Sequence, residues 1–248
     1  MTEISRPRAP PLSVVIPVHN ESACIGTLIG EIERALPDAD RREIIVVDDA
    51  STDATPEALA RLQKDLPGRL RVLRHDRQYG QSAALRTGVT AARHDLIVTL
   101  DGDGQNDPAD IPRLLAVYAA SPTGAVMVCG QRLRRQDSWL KRFASRVANG
   151  IRSGLLGDGV PDTGCGLKLF PRELFLRLPW FDHMHRFLPA LVLRDGGRVE
   201  KVAVNHRPRA AGRTKYGIHN RLWVGVVDLL GVLWLQRRGR VTHNKEME

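Results

Sequence analysis

Five short runs rich in valine, isoleucine and leucine, at 12–18, 43–49, 69–73, 95–100 and 125–130, punctuate the first 130 residues. Runs as continuously apolar as LSVVIPV and EIIVVDD suit strands that are buried on both faces. The stretches between them, 23–36, 54–66, 81–92 and 110–119, carry a helical period, and Thr52, Asp53 and Asp110 are placed to cap such helices. Strand and helix alternating in this way predict an α/β fold, with a mostly parallel central sheet and helices on both faces. The 248 residues suffice for one sizeable domain with a short appendage. That domain is expected over 12–217. Residues 1–11 read as a polar, proline-rich arm without the apolar stretch of an export signal, and 218–248 as a separate C-terminal segment.

The loop after the first run is Pro17-Val18-His19-Asn20-Glu21, not G-x-G-x-x-G. This argues against a dinucleotide-binding oxidoreductase and against a nucleotidyltransferase with a glycine-rich phosphate loop. Cys24, Cys129 and Cys165 are scattered, odd in number and form no C-x-x-C pair, so they read as reduced core residues. The net charge of +9 is uneven: 131–153 and 205–248 each carry +6, which leaves −3 for the remainder. Confined basicity of this kind points to an anionic partner for those two segments.

Two acidic clusters sit at predicted strand ends, the edge at which open α/β sheets bind ligands. They are Asp48-Asp49-Ala50-Ser51-Thr52-Asp53 and Asp101-Gly102-Asp103-Gly104-Gln105. In extended chain, residues two apart point to one side, so Asp101 and Asp103 converge, with Gln105 next in line. Two converging carboxylates repel unless a cation joins them. Hard ions such as Mg²⁺ or Mn²⁺ take oxygen ligands and bridge carboxylates to phosphates. The interposed glycines leave room for a bulky diphosphate. Asp49 and Asp53 suit hydrogen bonds from a nucleobase or ribose, although Asp53 also fits a helix cap.

Taken in order, VVIPVHNES, IIVVDDASTDAT, YGQSAALRTG, LIVTLDGDGQNDP, DTGCGLKLF and HRPRAAGRTKYG resemble family 2 glycosyltransferases of the GT-A fold. The similarity is greatest to the dolichol-phosphate mannosyltransferase branch and its bacterial polyprenyl-phosphate relatives, and it spans about 12–217. The resemblance implies that Pro17, Glu21, Asp49 and Asp53 hold the nucleoside, and that Asp101, Asp103 and Gln105 hold the metal that binds the diphosphate. Arg132 would meet phosphate, and Arg209 and Lys215 would close over the donor. His19 departs from the tyrosine common in the family.

Between 139 and 155, Leu140, Phe143, Val147, Ile151 and Leu155 form an apolar stripe, opposed by Arg142, Ser145, Arg146, Asn149 and Ser153. An anion would relieve the repulsion between Arg142 and Arg146 one turn apart. The resemblance places the acceptor phosphate here, on Ser145 with either Lys141 or Arg142. A sugar hydroxyl acceptor normally needs a carboxylate base, whereas a lipid phosphate is already anionic. The late stretch HMHRFL offers only Asp182 nearby, and His183 and His185 read as packing or surface residues rather than metal ligands. The expected reaction is therefore inverting transfer of a sugar from a GDP- or UDP-linked donor to a polyprenyl phosphate, with Asp103, Arg132 and Lys215 at the reacting centre. A polysaccharide or other hydroxyl acceptor is the alternative. A basic nucleic-acid-binding or membrane-binding module without catalysis is disfavoured, because the acidic clusters would repel nucleic acid.

The apolar stretch 222–235 would extend about 21 Å as a helix, short of the roughly 30 Å hydrocarbon core, and Asp228 sits in its middle. Trp223, Trp234 and flanking arginines suit a helix lying at the lipid surface, or docked on a separate membrane subunit or a second copy. The expected location is cytoplasmic, peripheral at the inner face of the membrane.

Overall fold

The computed structural model describes residues 10–122, 124–132, 150, 152–208 and 218–238. Seven strands form one sheet: β1 (Leu12–Val18), β2 (Arg42–Asp48), β3 (Leu70–Arg74), β4 (Leu96–Thr99), β5 (Val126–Arg132), β6 (Lys168–Pro171) and β7 (Arg198–Val204). Their order is β3-β2-β1-β4-β6-β5-β7. All neighbours pair in parallel except β6, which runs antiparallel to both β4 and β5. The expected mostly parallel sheet is present, and the five expected strands are its β1 to β5.

The period of two along each strand divides the core into two layers. Val14, Ile16, Ile44, Val46 and Val98 face one layer, while Val15, Ile45, Val47 and Ile97 face the other. Helices α1 (Ile25–Ala35), α2 (Thr55–Asp65) and α4 (Ile111–Ala120) cover the first. In α1, Ile25, Leu28, Ile29 and Ile32 recur at three and four residues and are all buried, so a single stripe meets the sheet. Helices α3 (Gln81–Ala91), α5 (Arg172–Arg177), α6 (Leu188–Arg194) and α7 (Ile218–Arg238) cover the second face. None of the three cysteines forms a disulfide, and all three are buried.

The C-terminal helix α7 has 21 residues, longer than the apolar stretch alone. Val232 is fully buried against the second layer, whereas Val226, Val227, Leu230 and Trp234 are exposed. The helix is fastened by Arg194 Nε donating to Leu235 O and by Gln236 Nε2 donating to Leu156 O, both at 2.9 Å. Its mid-helix Asp228 lies 3.4 Å from His183 Nδ1. No helix among the described residues is long and apolar enough to cross a membrane.

Helix α3 lies unusually close to the sheet. A Cβ at Gly88 would stand 2.4 Å from Val15 Cγ1 and 3.2 Å from Val47 Cγ2. Gly88→Ala should therefore destabilise the fold by about 1–3 kcal/mol, as overpacked cores do. Gly26, on α1, has nothing within 4 Å of its would-be Cβ. Gly26→Ala should leave stability unchanged or raise it by up to about 1 kcal/mol. Urea denaturation of the two variants beside the wild type checks this, and equal midpoints for both would contradict it.

Candidate active site

The parallel strands β1, β2 and β4 end at one rim of the sheet, and both acidic clusters fall there. At the β1–β2 end the loops lock together. Asn20, in a left-handed conformation (φ 57°), accepts from Thr52 N at 2.6 Å, and its own N–H donates to Ser51 Oγ at 2.8 Å. His19 Nδ1 bonds Asp49 O at 2.8 Å, and Glu21 N donates to Thr55 Oγ1 at 2.9 Å. Asp53 accepts from Ser22 Oγ at 2.7 Å and from Thr55 N at 3.0 Å, which fastens the start of α2. Desolvation opposes its ionisation, but the hydrogen bonds from Thr55 and Ser22 prevail and hold its carboxyl down to about 2.

Asp49 is buried, and its carboxylate is committed to the chain. Oδ1 accepts from Tyr79 N at 2.8 Å and from His75 Nδ1 at 2.7 Å, and Oδ2 accepts from Gly80 N at 2.7 Å. It thus holds the 75–80 segment that leads into α3. Asp48 is equally buried and accepts from Ser51 N at 2.9 Å. Of the residues expected around the nucleoside, Pro17, Glu21 and Asp53 stay partly or fully accessible at this rim, while Asp49 organises it from below.

The second cluster follows β4. Asp101 lies deep but keeps partial access to the surface, and Gln81 Nε2, at the start of α3, donates to its Oδ1 at 2.8 Å. Burial pushes its carboxyl up to about 6, and the charge of Asp103 adds to that, while Lys168, Arg132 and the Gln81 bond pull it back. Asp103 Oδ1 accepts from Gln105 N at 3.1 Å, and Gln105 Nε2 donates to Arg207 O at 3.4 Å. Gly102 is demanded by the chain itself, because a Cβ there would stand 2.6 Å from Val18 Cγ1. A deep carboxyl whose ionisation is opposed by burial and by the neighbouring charge of Asp103 fits a hard divalent cation, which would relieve that cost. Among the described residues no three His, Cys, Asp or Glu side chains gather around one point.

The segment 162–168 completes this end, and sequence reasoning gave it no individual roles. Asp162 grips Arg132 through Nε at 2.7 Å and Nη2 at 2.6 Å, so the arginine expected to meet phosphate is oriented by a two-bonded carboxylate. Gly166 abuts the Asp101 carboxyl so closely that a Cβ would lie 2.3 Å from Cγ. Thr99 Oγ1 donates to Gly166 O at 2.7 Å. Lys168, 5% exposed, donates to Thr163 O at 3.1 Å and to Cys165 O, which places a buried cation behind the carboxylates. The sequence signal was a lysine between Leu167 and Leu169, at the start of an otherwise apolar strand.

His185 is also held here. Its backbone N–H donates to Ser82 Oγ at 3.2 Å, and Ser82 Oγ bonds its Nδ1 at 2.8 Å. Burial pushes the imidazole down to about 3, and the positive groups Arg186, Lys168 and His183 act in the same direction. Lys141, Arg142, Ser145, Arg209 and Lys215 lie outside the described residues.

An imidazole kept neutral by the fold, but free to protonate once unfolded, removes stability as pH falls from about 6.5 towards 3. Asp101 acts in the opposite sense, since its folded value is raised. Comparison of a variant with the wild type cancels that contribution. His185→Gln should lose less stability than the wild type between about pH 7 and 4.5, read as the shift in urea midpoint. Identical slopes in the two proteins would contradict this picture of His185.

The family model described as glycosyl transferase family 2 matches residues 13–178. A dodecaprenyl-phosphate galacturonate synthase from Rhizobium johnstonii is 36% identical over 91% of this chain and 67% of its own length. An undecaprenyl-phosphate 4-deoxy-4-formamido-L-arabinose transferase from Edwardsiella ictaluri is 34% identical over 84% of this chain and 63% of its own. The chain thus spans about two thirds of the length of these relatives. Among solved structures, a mannosyltransferase from Pyrobaculum calidifontis with GDP-Man and Mn²⁺ matches with a TM-score of 0.66 at 20% identity, over 95% of this chain and 67% of that one. Glucosyl-3-phosphoglycerate synthase from Mycobacterium tuberculosis with Mg²⁺ and UDP matches at 0.68 and 22%, over 92% and 79%. These solved structures share the fold, and the sequence match places this chain in glycosyl transferase family 2.

Proposed function

We propose that this chain transfers a sugar from a nucleotide diphosphate to a polyprenyl phosphate, with inversion at the anomeric carbon and with the help of a divalent cation. The observation that carries the reading is the pairing of the deep Asp101 with Asp103 at the sheet rim, faced by the cationic groups Arg132 and Lys168. Such a site suits a pyrophosphate held through an ion. The relatives are named for reactions on dodecaprenyl and undecaprenyl phosphate, which supports the acceptor.

Asp101, Asp103 and Gln105 would hold Mg²⁺ or Mn²⁺, which when bound neutralises charge on the departing diphosphate. Pro17, Glu21 and Asp53 are proposed to meet the nucleoside of a GDP- or UDP-linked donor, on a rim that Asp49 keeps in shape. Arg132, oriented by Asp162, adds a fixed positive charge beside the diphosphate. Arg209 and Lys215 are proposed to close over the donor. Lys141 or Arg142, with Ser145, would receive the acceptor phosphate. That acceptor is already an anion, so the protein's task is placement and charge screening rather than deprotonation.

The exposed stripe Val226, Val227, Leu230 and Trp234, followed by Arg237 and Arg238, would rest on the inner face of the membrane, or on a membrane subunit or second copy held there.

The test is transfer of labelled sugar from GDP- and UDP-sugars into butanol-extractable polyprenyl phosphate. Transfer should stop with EDTA and return with Mn²⁺ or Mg²⁺. Asp103→Ala should lower kcat/KM by about 100-fold or more. Transfer that ignores EDTA, or label found only on a hydroxyl acceptor, would overturn the proposal.

A further inference from the structure

We infer that Arg207 is a positioning residue that fixes the shape of the 101–107 loop for its cation, an inference that rests on the transfer reading above. After β7 the chain turns back along this loop and is fastened to it residue by residue. Asn205 N donates to the buried Asp110 Oδ2 at 2.7 Å. His206 bridges Asn106 in antiparallel fashion, and Arg207 N donates to Gln105 O at 3.0 Å.

The guanidinium of Arg207 then spans two elements. Nη2 meets Asp107 Oδ1 and Nη1 meets Glu31 Oε2 on α1, each at 2.7 Å. Asp107 is the last residue of the loop before its short helical turn, and its Oδ1 also accepts from Ala109 N at 3.0 Å. The two clamped residues, Gln105 and Asn106, bond the Asp103 carboxylate and the Asp101 backbone respectively. Gln105 N donates to Asp103 Oδ1 at 3.1 Å, and Asn106 Oδ1 accepts from Asp101 N at 3.3 Å. One hydrogen bond therefore separates each carboxylate residue from the stretch that Arg207 ties down.

A planar fork with separate N–H edges can hold two carboxylates at once, whereas an ammonium on the same stem serves as a single point of charge. The requirement is thus for arginine rather than for positive charge. The side chain of Arg207 is 37% exposed, and those of Glu31 and Asp107 are 20% and 14% exposed. Solvent screening makes each pair a modest contributor to overall stability. Its consequence should appear in the loop that it restrains.

The experiment titrates Mn²⁺ against the full chain by electron paramagnetic resonance of the free ion, with GDP or UDP present and no acceptor, so that no turnover enters the reading. Arg207→Ala should weaken Mn²⁺ binding about three- to tenfold, with a small change in urea midpoint. Arg207→Lys should fall between it and the wild type. Arg177→Ala, which removes the exposed ion pair with Asp195, should bind Mn²⁺ as the wild type does. If Arg207→Ala fails to fold, Arg207→Lys and Asp107→Asn carry the same expectation of weakened binding. Wild-type affinity in folded Arg207 variants overturns the inference while leaving the transfer reading intact. A wild-type chain that binds no Mn²⁺ with either nucleotide overturns both.

Discussion

Two carboxylates at the end of a buried strand repel each other, and the rim of this sheet is arranged around that repulsion. Burial and Asp103 together raise the cost of ionising Asp101. The protein sets several groups against that cost: the amide of Gln81, the buried ammonium of Lys168 and the guanidinium of Arg132. None of these cations salt-bridges Asp101 directly. Lys168 is taken up by the carbonyls of Thr163 and Cys165, and Arg132 by Asp162. The carboxylates are left partly compensated, which is the condition in which a divalent ion gains most by binding. Gly166 contributes by what it lacks, because any side chain at that position would occupy the space of the Asp101 carboxyl.

The two acidic clusters divide the work differently from what their similar composition suggests. Asp48 and Asp49 face inward and hold loops, so the first cluster acts mainly by shaping the rim. Asp53 secures the beginning of α2 while staying at the surface. The second cluster keeps carboxylate oxygens available, because its backbone is restrained by partners outside it: Asn106, Arg207 and the packing of Gly102 on Val18. The restraint on the DGDGQ stretch thus comes both from the adjacent Asn106 and from the distant Arg207 and Val18.

β1, β2 and β4 were legible because they are buried on both faces and read as nearly continuous apolar runs. β6 was hidden by its length of four residues and by the charged Lys168 that opens it. β7 was hidden because it lies at the edge of the sheet with Arg198, Glu200 and Lys201 interrupting its pattern. In the site, Asp101, Asp103 and Gln105 were singled out on the period of two of an extended chain, whereas the chain turns over 102–104, with Gly104 at φ 71°. The embrace of Arg132 by Asp162 and the role of Lys168 depend on the antiparallel return of β6 beside β4, a contact between positions about 70 residues apart that no local pattern reveals. The one-sided burial of α7 was equally invisible, since its stretch is apolar nearly all round and only packing decides which face is covered. The clamp on the 101–107 loop is a matter of tertiary placement in the same way, because Glu31, Asp107 and Arg207 carry no shared motif.

Anomalous diffraction from crystals of the chain grown with Mn²⁺ and GDP or UDP tests the central claim most directly. The account predicts a single strong manganese peak within bonding distance, about 2.0–2.5 Å, of carboxylate oxygens of Asp101 or Asp103, with the diphosphate on its far side. Manganese bound elsewhere, or a nucleotide seated with both carboxylates untouched by metal, would contradict it.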